Sequence, residues 1–142
     1  MIAAELCGTA RSMLDRTIAY ACERVQFDRP IGSFQAVQHL VADLALDVER
    51  AWAAVQWAAM CLEDPVAAGA DVARAPHVAK AAASDAAANA VKTSIQIHGG
   101  IGYTWEHDLH LWMRRALTVE HLLGAADHHH DRFAELAIAT SA

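Results

Sequence analysis

Apolar side chains recur along this chain at intervals of three and four residues, the spacing that places them on one face of an α-helix. The first series predicts a helix over about residues 2–26, and it consists of Leu6, Met13, Leu14, Ile18, Ala21 and Val25. The second series predicts a helix of about 28 residues, and it consists of Val37, Val41, Leu44, Val48, Trp52, Val55, Ala59 and Leu62. Residues 28–33 contain proline and glycine, so we expect a turn there, with Ser33 as the N-cap of the second helix.

Proline and glycine also separate the second helix from the third. Residues 63–65 end the second helix, and residues 69–76 are predicted to form or contain a loop. An alanine-rich third helix is then predicted from residue 72 or 77 to residue 98, with Gly99 and Gly100 as its stop.

The remaining chain predicts a broken fourth helix. Residues 106–116 have the spacing of a short helix, and residues from Thr118 to about Ile138 have that of another, in which Gly124 is a weak point. Three long helices and a broken fourth, joined by short connections, are typical of an all-α fold. We therefore predict an antiparallel up-and-down four-helix bundle with a broken or extra C-terminal helix, formed by a single domain over residues 1–142.

Composition narrows the class of protein. The chain has 142 residues, enough for one domain with a buried core, and its formal charge of -6 with no basic stripe excludes nucleic acid as the main partner. Charged residues interrupt every apolar run before the roughly 18 residues that span a bilayer, so no membrane partner is predicted. The cysteines Cys7, Cys22 and Cys61 form no CxxC pair, and no signal peptide is recognisable. Both observations favour reduced thiols in a soluble, cytoplasmic protein.

Nine histidines invite a metal-site interpretation that their spacing does not support. No Glu-x-x-His or HExxH motif is present. The consecutive residues His128, His129 and His130 diverge by about 100° on a helix, so we expect them on a solvated surface rather than around one ion. No serine has the GxSxG context of a nucleophile, and the serines are Ser12, Ser33, Ser84, Ser94 and Ser141. The residues by themselves therefore predict neither a metal site nor a catalytic nucleophile.

Three glycines within four residues interrupt the helical pattern in the stretch QIHGGIGYTWE, residues 96–106. One interpretation is a helix C-cap followed by a tight turn. The other is a binding site, because glycine removes the side chain where a ligand's phosphates or a flat ring touch backbone. Gln96, one turn earlier, then offers an amide to the polar edge of that ligand.

The corner RVQFDRPIGSFQ, residues 24–35, has the same ambiguity. It is either a solvated connection between helices or a site in which an arginine fork holds phosphate and Phe27 forms an apolar wall. We place the corner and the glycine-rich stretch at opposite ends of the bundle. Their similar chemistry nevertheless suggests one binding surface.

Together these two stretches resemble the C-terminal helical domain of the acyl-CoA dehydrogenase family. RVQFDRPIGSFQAVQH is similar to the family's RxxFGxPIxxFQxxQ corner, and QIHGGIGYTWEHDLHLWMRRA is similar to its QxxGGxGYxxExxxxxxxRDA signature. The resemblance covers essentially the whole chain. Two departures are minor: Asp28 stands where glycine is common, and Arg115 where aspartate is common.

The resemblance implies an FAD enzyme that removes two hydrogens from the α and β carbons of an acyl-CoA thioester and passes electrons to an electron-transfer flavoprotein. In that family this domain contacts the flavin of a neighbouring subunit in a homo- or hetero-oligomer, a dimer or tetramer. By position, Arg24 would hold the pyrophosphate of a neighbour's FAD, surrounded by Gln26, Phe27, Ile31, Phe34 and Gln35. Gln96, Gly99 and Gly100 would pack against its adenosine side.

Two further departures concern catalysis. The family's usual base is a glutamate, but that position is Leu123 here, and the position used by some relatives falls just upstream of Met1. Glu5, Glu106 and Glu120 are weaker candidates, so no catalytic residue is assigned. The family's N-terminal helical and middle β-domains are also absent from these 142 residues.

The isolated chain is therefore predicted to be inactive. We expect an excised domain, a truncated subunit, or half of a hetero-oligomer whose partner carries the base. Bulky ring or side-chain acyl-CoAs are weakly favoured as substrates. The alternatives are a non-catalytic assembly module and, more remotely, an unrelated bundle that binds a hydrophobic ligand.

Overall fold

The computed structural model describes residues 1–139, and within them the chain is almost entirely helical. In chain order its elements are α1 (Ile2–Glu23), β1 (Val25–Gln26), β2 (Arg29–Pro30), a 3₁₀ turn (Ile31–Ser33), α2 (Gln35–Glu63), α3 (Pro65–Ala68), α4 (Asp71–His98), a second 3₁₀ turn (Gly99–Tyr103), α5 (Leu109–Glu120) and α6 (Ala126–Ala139). Ser141 lies outside the described residues.

Side-chain pairs give the relative directions of α1, α2 and α4. Ile2 and Leu62 line one cavity while Ala21 and Val37 line another, so α1 and α2 are antiparallel. Thr17 of α1 is hydrogen-bonded to Ser94 of α4, each near the C-terminal end of its helix, so these two helices run in the same direction.

Helices α5 and α6 return along the bundle and together form its fourth, broken helix. Glu5 of α1 pairs with Arg115, and the guanidinium of Arg16 lies 5.2 Å from the centroid of the Trp112 ring, so α5 is antiparallel to α1. Farther along, His130 of α6 contacts Asp85 of α4. The predicted up-and-down four-helix bundle with a broken C-terminal helix is confirmed.

Alanines of α4 make close packing of the core possible. Because alanine side chains are small, the helices can approach one another closely, and burial of the larger side chains of α1, α2 and α5 supplies most of the hydrophobic stabilisation. The central cluster combines Ala83, Ala86, Ala87 and Ala90 of α4 with Leu6, Met13 and Leu14 of α1, Leu44 and Val48 of α2, and Leu109 of α5.

The first corner differs from the prediction in two ways. Helix α1 ends at Glu23 rather than near residue 26, because the chain forms a two-residue β-hairpin whose turn residues, Phe27 and Asp28, have φ values of +54° and +62°. Such left-handed pairs match the twist of two-residue hairpins. Ser33 is not the N-cap of α2: its hydroxyl donates to the carbonyl of Pro30, 2.7 Å away, and Phe34 occupies the cap position.

The predicted loop over residues 69–76 is largely helical. The connection consists of α3 and Gly69, whose φ is +56°, and α4 begins at Asp71 with Pro76 inside it. Asp64 caps α3 by accepting a 3.0 Å hydrogen bond from the amide of Ala67.

The break in the fourth helix also lies later than predicted. Helix α5 continues through Thr118 to Glu120, and α6 begins only at Ala126. Leu123 and Gly124, with φ values of +60° and +105°, interrupt the helix between them.

Within residues 1–139, no helix is both long enough and apolar enough to cross a bilayer. The same residues contain no group of three or more His, Cys, Asp or Glu side chains arranged to hold a metal ion. All three cysteines are free thiols.

Candidate functional site: a groove between the hairpin and the end of α4

The hairpin and the glycine-rich turn lie at the same end of the bundle, not at opposite ends as predicted. Because α1 and α4 run in the same direction, the chain leaves both helices at one end. The ring of Tyr20 stacks on the imidazole of His98 there, with the ring centroids 4.2 Å apart. Two motifs about 70 residues apart in sequence are thereby brought side by side.

An open groove of about 370 Å³ separates the hairpin from the last turn of α4. Five of the nine residues predicted to contact a cofactor line it: Gln26, Phe27, Ile31, Phe34 and Gln96. The other lining residues were not predicted and are Val37, Leu40 and Ile97. Periodicity alone assigns these three to helix positions, and only the tertiary arrangement turns them towards the groove.

Two phenylalanines form the apolar wall of this groove. Phe27 and Phe34 meet edge to face with ring centroids 6.2 Å apart, although Phe27 is 86% exposed. A bulky residue at positive φ is strained, with a cost of about 1 kcal/mol or more, and the Phe27 side chain at this position projects into solvent. The guanidinium of Arg29 lies 4.0 Å from the centroid of the Phe34 ring. Arg29 was not among the predicted contact residues, and nothing in its local sequence indicates this contact.

Arg24 and Gln35 flank the groove without lining it. The backbone of Arg24 is fixed, because its amide donates to Tyr20 O and its carbonyl accepts from Ile31 N, both at 2.8 Å. Its exposed side chain makes no hydrogen bond or ion pair with any described residue. Gln35 is exposed at the first position of α2. The corner therefore presents a free guanidinium on a rigid backbone.

The three glycines of the turn serve different purposes. Gly99 caps α4 with φ at +62°, a conformation that favours glycine. Gly102 packs internally, since an added Cβ would lie 3.2 Å from the Cβ of His98. Gly100 has no positive φ, and nothing described lies within 4 Å of an added Cβ. Fold and packing within the described chain therefore do not require glycine at position 100.

A second, more apolar cavity of about 600 Å³ lies beside Leu123. Leu123 is 81% exposed, and the cavity is bounded by the start of α1, the end of α2 and the start of α4. Its lining residues include Met1, Ile2, Val55, Leu62, Ala79, Lys80 and His129. The predicted solvated triplet is thus wrong for His129, which is buried between α4 and α6.

None of the three carboxylates considered as a base lines the cavity beside Leu123. Glu5 pairs with Arg115 in a different groove, between α1 and α5. Glu120 accepts a hydrogen bond from the amide of Ala126 and contacts His121, while Glu106 is exposed in the turn before α5.

Residues 1–137 match the C-terminal domain of acyl-CoA dehydrogenase. The chain belongs to the acyl-CoA dehydrogenase family. It is 45% identical over 126 residues to the acyl-CoA dehydrogenase FadE34 of Mycobacterium tuberculosis, a match that covers 89% of this chain and 17% of that relative. The residue-level match and the similar bundle together identify the described fold as this family's C-terminal helical domain.

Two solved structures have the same fold. A variant of the steroid ACAD Tcur3481-Tcur3483 aligns with a TM-score of 0.91 and 33% identity over 99% of this chain and 38% of that chain. The ChsE4-ChsE5 complex from Mycobacterium tuberculosis aligns with a TM-score of 0.80 and 36% identity over 94% of this chain and 35% of that chain. The present chain spans between 17% and 37% of the length of the first three curated relatives.

Proposed function

We propose that this chain is the flavin-contacting domain of an enzyme that α,β-dehydrogenates acyl-CoA thioesters, and that the groove forms one edge of an FAD site completed by another polypeptide. The observation that carries the proposal is that the exposed Phe27 ring lines the groove at the end of the bundle that also presents the unpaired Arg24 guanidinium and the bare backbone of Gly100. Nothing within the described chain accounts for these three features together.

The donor and contact groups present fit a dinucleotide. Arg24 would bind the pyrophosphate, because guanidinium pairs well with phosphate oxygens. Phe27, Ile31 and Phe34 would pack against a ring of the cofactor. The side-chain amides of Gln26, Gln35 and Gln96 would bind the polar edges of the cofactor. Gly99 and Gly100 would let its adenosine side approach the backbone. FAD, when bound, supplies the acceptor for the electrons removed from the acyl thioester.

The catalytic base is proposed to come from outside the described residues. Leucine has no group that takes up a proton, and the cavity beside Leu123 is also lined by Met1 and Ile2. A carboxylate on chain preceding Met1, or on a partner, would therefore reach this cavity. The isolated chain is proposed to be inactive, with the remaining domains supplied by the complete enzyme and electrons passed to a flavoprotein.

A hetero-oligomer is the second candidate arrangement, in which this domain belongs to a subunit without a base. The two similar structures are named as pairs of proteins, and one is named as a steroid enzyme, which supports a bulky acyl group as substrate. Exposed apolar side chains favour association in a dimer or tetramer. They include Leu46, Met60 and Leu62 of α2 and Val66 of α3. Three free thiols support a cytoplasmic location.

The test compares the complete enzyme or complex that contains this chain with its Arg24→Gln and Arg50→Gln variants. Arg50 is the matched control, because its exposed guanidinium pairs only with Asp47 on its own helix, at 3.6 Å. We expect Arg24→Gln to weaken FAD retention at least tenfold, about the value of one charged hydrogen bond. Arg50→Gln should retain flavin like the wild type. Unchanged flavin-to-protein absorbance in Arg24→Gln refutes the assigned role.

Two measurements on the 142-residue chain separate the arrangements. Titration with FAD, followed by flavin fluorescence, should give no tight binding, because one edge of a divided site cannot offset the cost of association. Analytical ultracentrifugation should give dimers or tetramers if the chain itself directs assembly. A monodisperse monomer contradicts the assembly-module alternative without affecting the flavin role.

A further inference from the structure

Lys80 is the most deeply buried cation among the described residues, at 5% exposure. Its Nζ donates to the Ser84 hydroxyl at 2.9 Å, to the Glu120 carbonyl at 2.7 Å and to the Gly124 carbonyl at 2.8 Å. An ammonium group has three donors, so all of them are used. Glu120 immediately precedes the α5–α6 joint, residues 121–125, and Gly124 lies within it. One side chain on α4 therefore holds the backbone just before the joint and near its C-terminal end.

His129 holds the middle of the joint. Its Nε2 lies 3.0 Å from the Leu123 carbonyl, and its Nδ1 lies 2.9 Å from Nδ1 of His77 on α4. A carbonyl oxygen only accepts, so Nε2 of His129 carries the proton. In the neutral imidazole Nδ1 then accepts, and His77 is the donor through its own Nδ1–H. The result is a directed chain of hydrogen bonds from His77 through His129 to Leu123.

The backbone held in this way is strained and tightly packed. Leu123 has φ at +60°, a conformation rare for a branched residue. A Cβ added to Gly124 would lie 2.6 Å from Cδ2 of His128 and 3.3 Å from Nε2 of His129. Such a conformation persists only where its surroundings impose it. Among the described residues, Lys80 and His129 are the side chains that donate hydrogen bonds to carbonyls of this joint from outside it.

We propose that Lys80 and His129 are positioning residues, which hold residue 123 at the mouth of the adjacent apolar cavity, and that uptake of two protons by the His77–His129 pair releases the joint. The catalytic relevance rests on the proposed function, in which the catalytic base reaches the cavity beside position 123. The conformational claim rests only on the contacts described above.

The charges around the His77–His129 pair explain why a lower pH should release the joint. Two imidazolium rings cannot share the 2.9 Å Nδ1–Nδ1 contact, because both nitrogens would then be donors. Burial is the main cause that lowers the pKa of His77 and of His129. The hydrogen bond to the Leu123 carbonyl opposes this lowering of the pKa in His129. Positive neighbours add to the lowering: Arg132 and His128 act on His77, and Lys80, His77 and His128 act on His129.

Two acidic groups of the neighbouring elements have other partners. Glu120 of α5 contacts His121 and the Ala126 amide, and Asp85 of α4 contacts His130, one residue beyond the pair. From α4, Arg74 adds a further cation near α6, hydrogen-bonded to the Leu136 carbonyl at 3.4 Å. Across the adjacent cavity, α1 and α2 contribute apolar side chains, and the remaining titratable group there is the amino terminus of Met1.

Hydrogen exchange of the 142-residue chain at pH 7.5 and 5.5, corrected for intrinsic rates, tests this proposal. The reporters are the amides of Leu122 and Ala126, which donate to Val119 O and to Glu120 Oε1. Amides of α2 near Leu44 are the internal reference. In the wild type we expect protection of the joint to fall about tenfold or more at the lower pH, since each proton taken up is worth up to about tenfold per pH unit. The α2 reference should not change.

Two variants distinguish positioning from general stability. His129→Gln keeps an N–H donor for Leu123 O but does not titrate, so the joint should stay protected at both pH values. His121→Gln is the matched control: it removes an exposed histidine of the joint and should keep the wild-type pH response. Lys80→Met, which loses all three hydrogen bonds, should lose joint protection at pH 7.5.

Equal protection of the joint from hydrogen exchange at both pH values in the wild type overturns the proposed release at low pH. A wild-type pH response in His129→Gln overturns it as well. Wild-type joint protection in Lys80→Met overturns its positioning role. If Lys80→Met does not fold, the comparison of His129→Gln with His121→Gln decides. No flavin is present in these measurements, so their failure and the failure of the FAD proposal are distinguishable.

Discussion

The ring of Tyr20 lies stacked on the imidazole of His98, at an interplanar angle of 19°, and joins the C-terminal ends of α1 and α4. This contact sets the separation of the hairpin and the glycine-rich turn, because each follows directly from one of the two helices. The same imidazole meets His107 at 4.7 Å in an edge-to-face arrangement. The end of the bundle that carries the groove is thus braced by aromatic packing.

We expect Tyr20→Ala to lower the free energy of unfolding by about 2 kcal/mol, because a half-buried ring and its stacking partner are lost together. Tyr20→Phe should lose much less, since it keeps the stack and gives up only a 3.5 Å contact with the carbonyl of His98. Urea denaturation measures both. Tyr103→Ala is the control, because that ring is 71% exposed, and its change should stay within about 0.5 kcal/mol. Equal losses of unfolding free energy in Tyr20→Ala and Tyr103→Ala would contradict a stabilising role of the Tyr20–His98 stack.

Gly32 of the first corner and Gly100 of the glycine-rich turn should respond differently to alanine. An added Cβ at Gly32 would lie 3.0 Å from the backbone oxygen of Ala21, which α1 holds in place, so we expect Gly32→Ala to cost about 1–2 kcal/mol. Gly100→Ala should leave the unfolding free energy within about 0.5 kcal/mol of the wild type. In the complete enzyme, however, Gly100→Ala should lower flavin content if the cofactor lies on that backbone. Denaturation and flavin absorbance of the two variants test both expectations.

The long helices could be predicted from sequence because their signal is local. Apolar spacing in α1, α2 and α4 repeats over many turns, and the glycine stop after His98 has an intrinsic backbone cause. The hairpin turn could not be predicted in the same way. Phe27 is not typical of a left-handed position, and the pairing of Gln26 with Arg29 that closes the hairpin is not visible in a local pattern.

The interior of the site depends on contacts between residues far apart in sequence. Lys80 has the sequence context of a solvated helix position, yet it is buried by α5 and α6 and hydrogen-bonded to Glu120 and Gly124. These hydrogen bonds lie at the break in the fourth helix and leave no local signal in the sequence. The break was therefore predicted too early. The residues predicted to contact a cofactor came from the motif resemblance, and five of them line the groove. Arg29 was missed because a cation over an aromatic ring is a tertiary feature.

Thr17 and Ser94 form a fully buried hydroxyl pair, 2.8 Å apart, between α1 and α4. Thr17 also contacts Met13 O at 2.7 Å, so its single proton goes to that carbonyl while Ser94 donates to Thr17. Thr17→Val leaves the Ser94 hydroxyl unpaired and should cost about 2 kcal/mol. Ser94→Ala should cost about 1 kcal/mol, because Thr17 keeps its bond to Met13.

The double variant Thr17→Val with Ser94→Ala isolates this pair. It should cost less than the sum of the single changes, because no buried hydroxyl is then left without a partner. Equilibrium unfolding of the three variants gives the coupling free energy. Additive losses would indicate that the two hydroxyls do not depend on each other.

The three thiols should differ in reactivity. Cys22 is exposed, whereas Cys7 and Cys61 are buried, and burial raises the pKa of the Cys7 thiol to about 11. Because the thiolate is the reactive form, Cys7 should be inert in the folded chain. We expect a disulfide reagent to modify Cys22 rapidly and the other two only after denaturation. Cys22→Ser should abolish the rapid phase while Cys61→Ser keeps it, and a rapid phase that survives in Cys22→Ser contradicts the assignment.

Acid should destabilise this fold below about pH 6.5, the ordinary pKa of histidine. Burial is the main cause that lowers the pKa of His98, and the same cause acts on His77 and His129. A lowered pKa in the folded chain means that the unfolded chain binds more protons as the pH falls below 6.5. The unfolding free energy is therefore highest above that pH and decreases below it, by at most about 1.4 kcal/mol per pH unit for each histidine.

His98→Phe separates the contribution of one histidine from the other two. His98 Nδ1 donates to Ser94 O at 2.8 Å, and its buried Nε2 finds no partner among the described residues. Phenylalanine keeps the ring against Tyr20 and removes both the titration and the unpaired nitrogen. We expect urea denaturation at pH 7.5, 6.5 and 5.5 to give a shallower decrease for His98→Phe than for the wild type. His39→Gln, at an exposed position of α2, should give the wild-type decrease. If the curves of His98→Phe and the wild type run parallel across this range, His98 is not one of the groups that bind protons on unfolding.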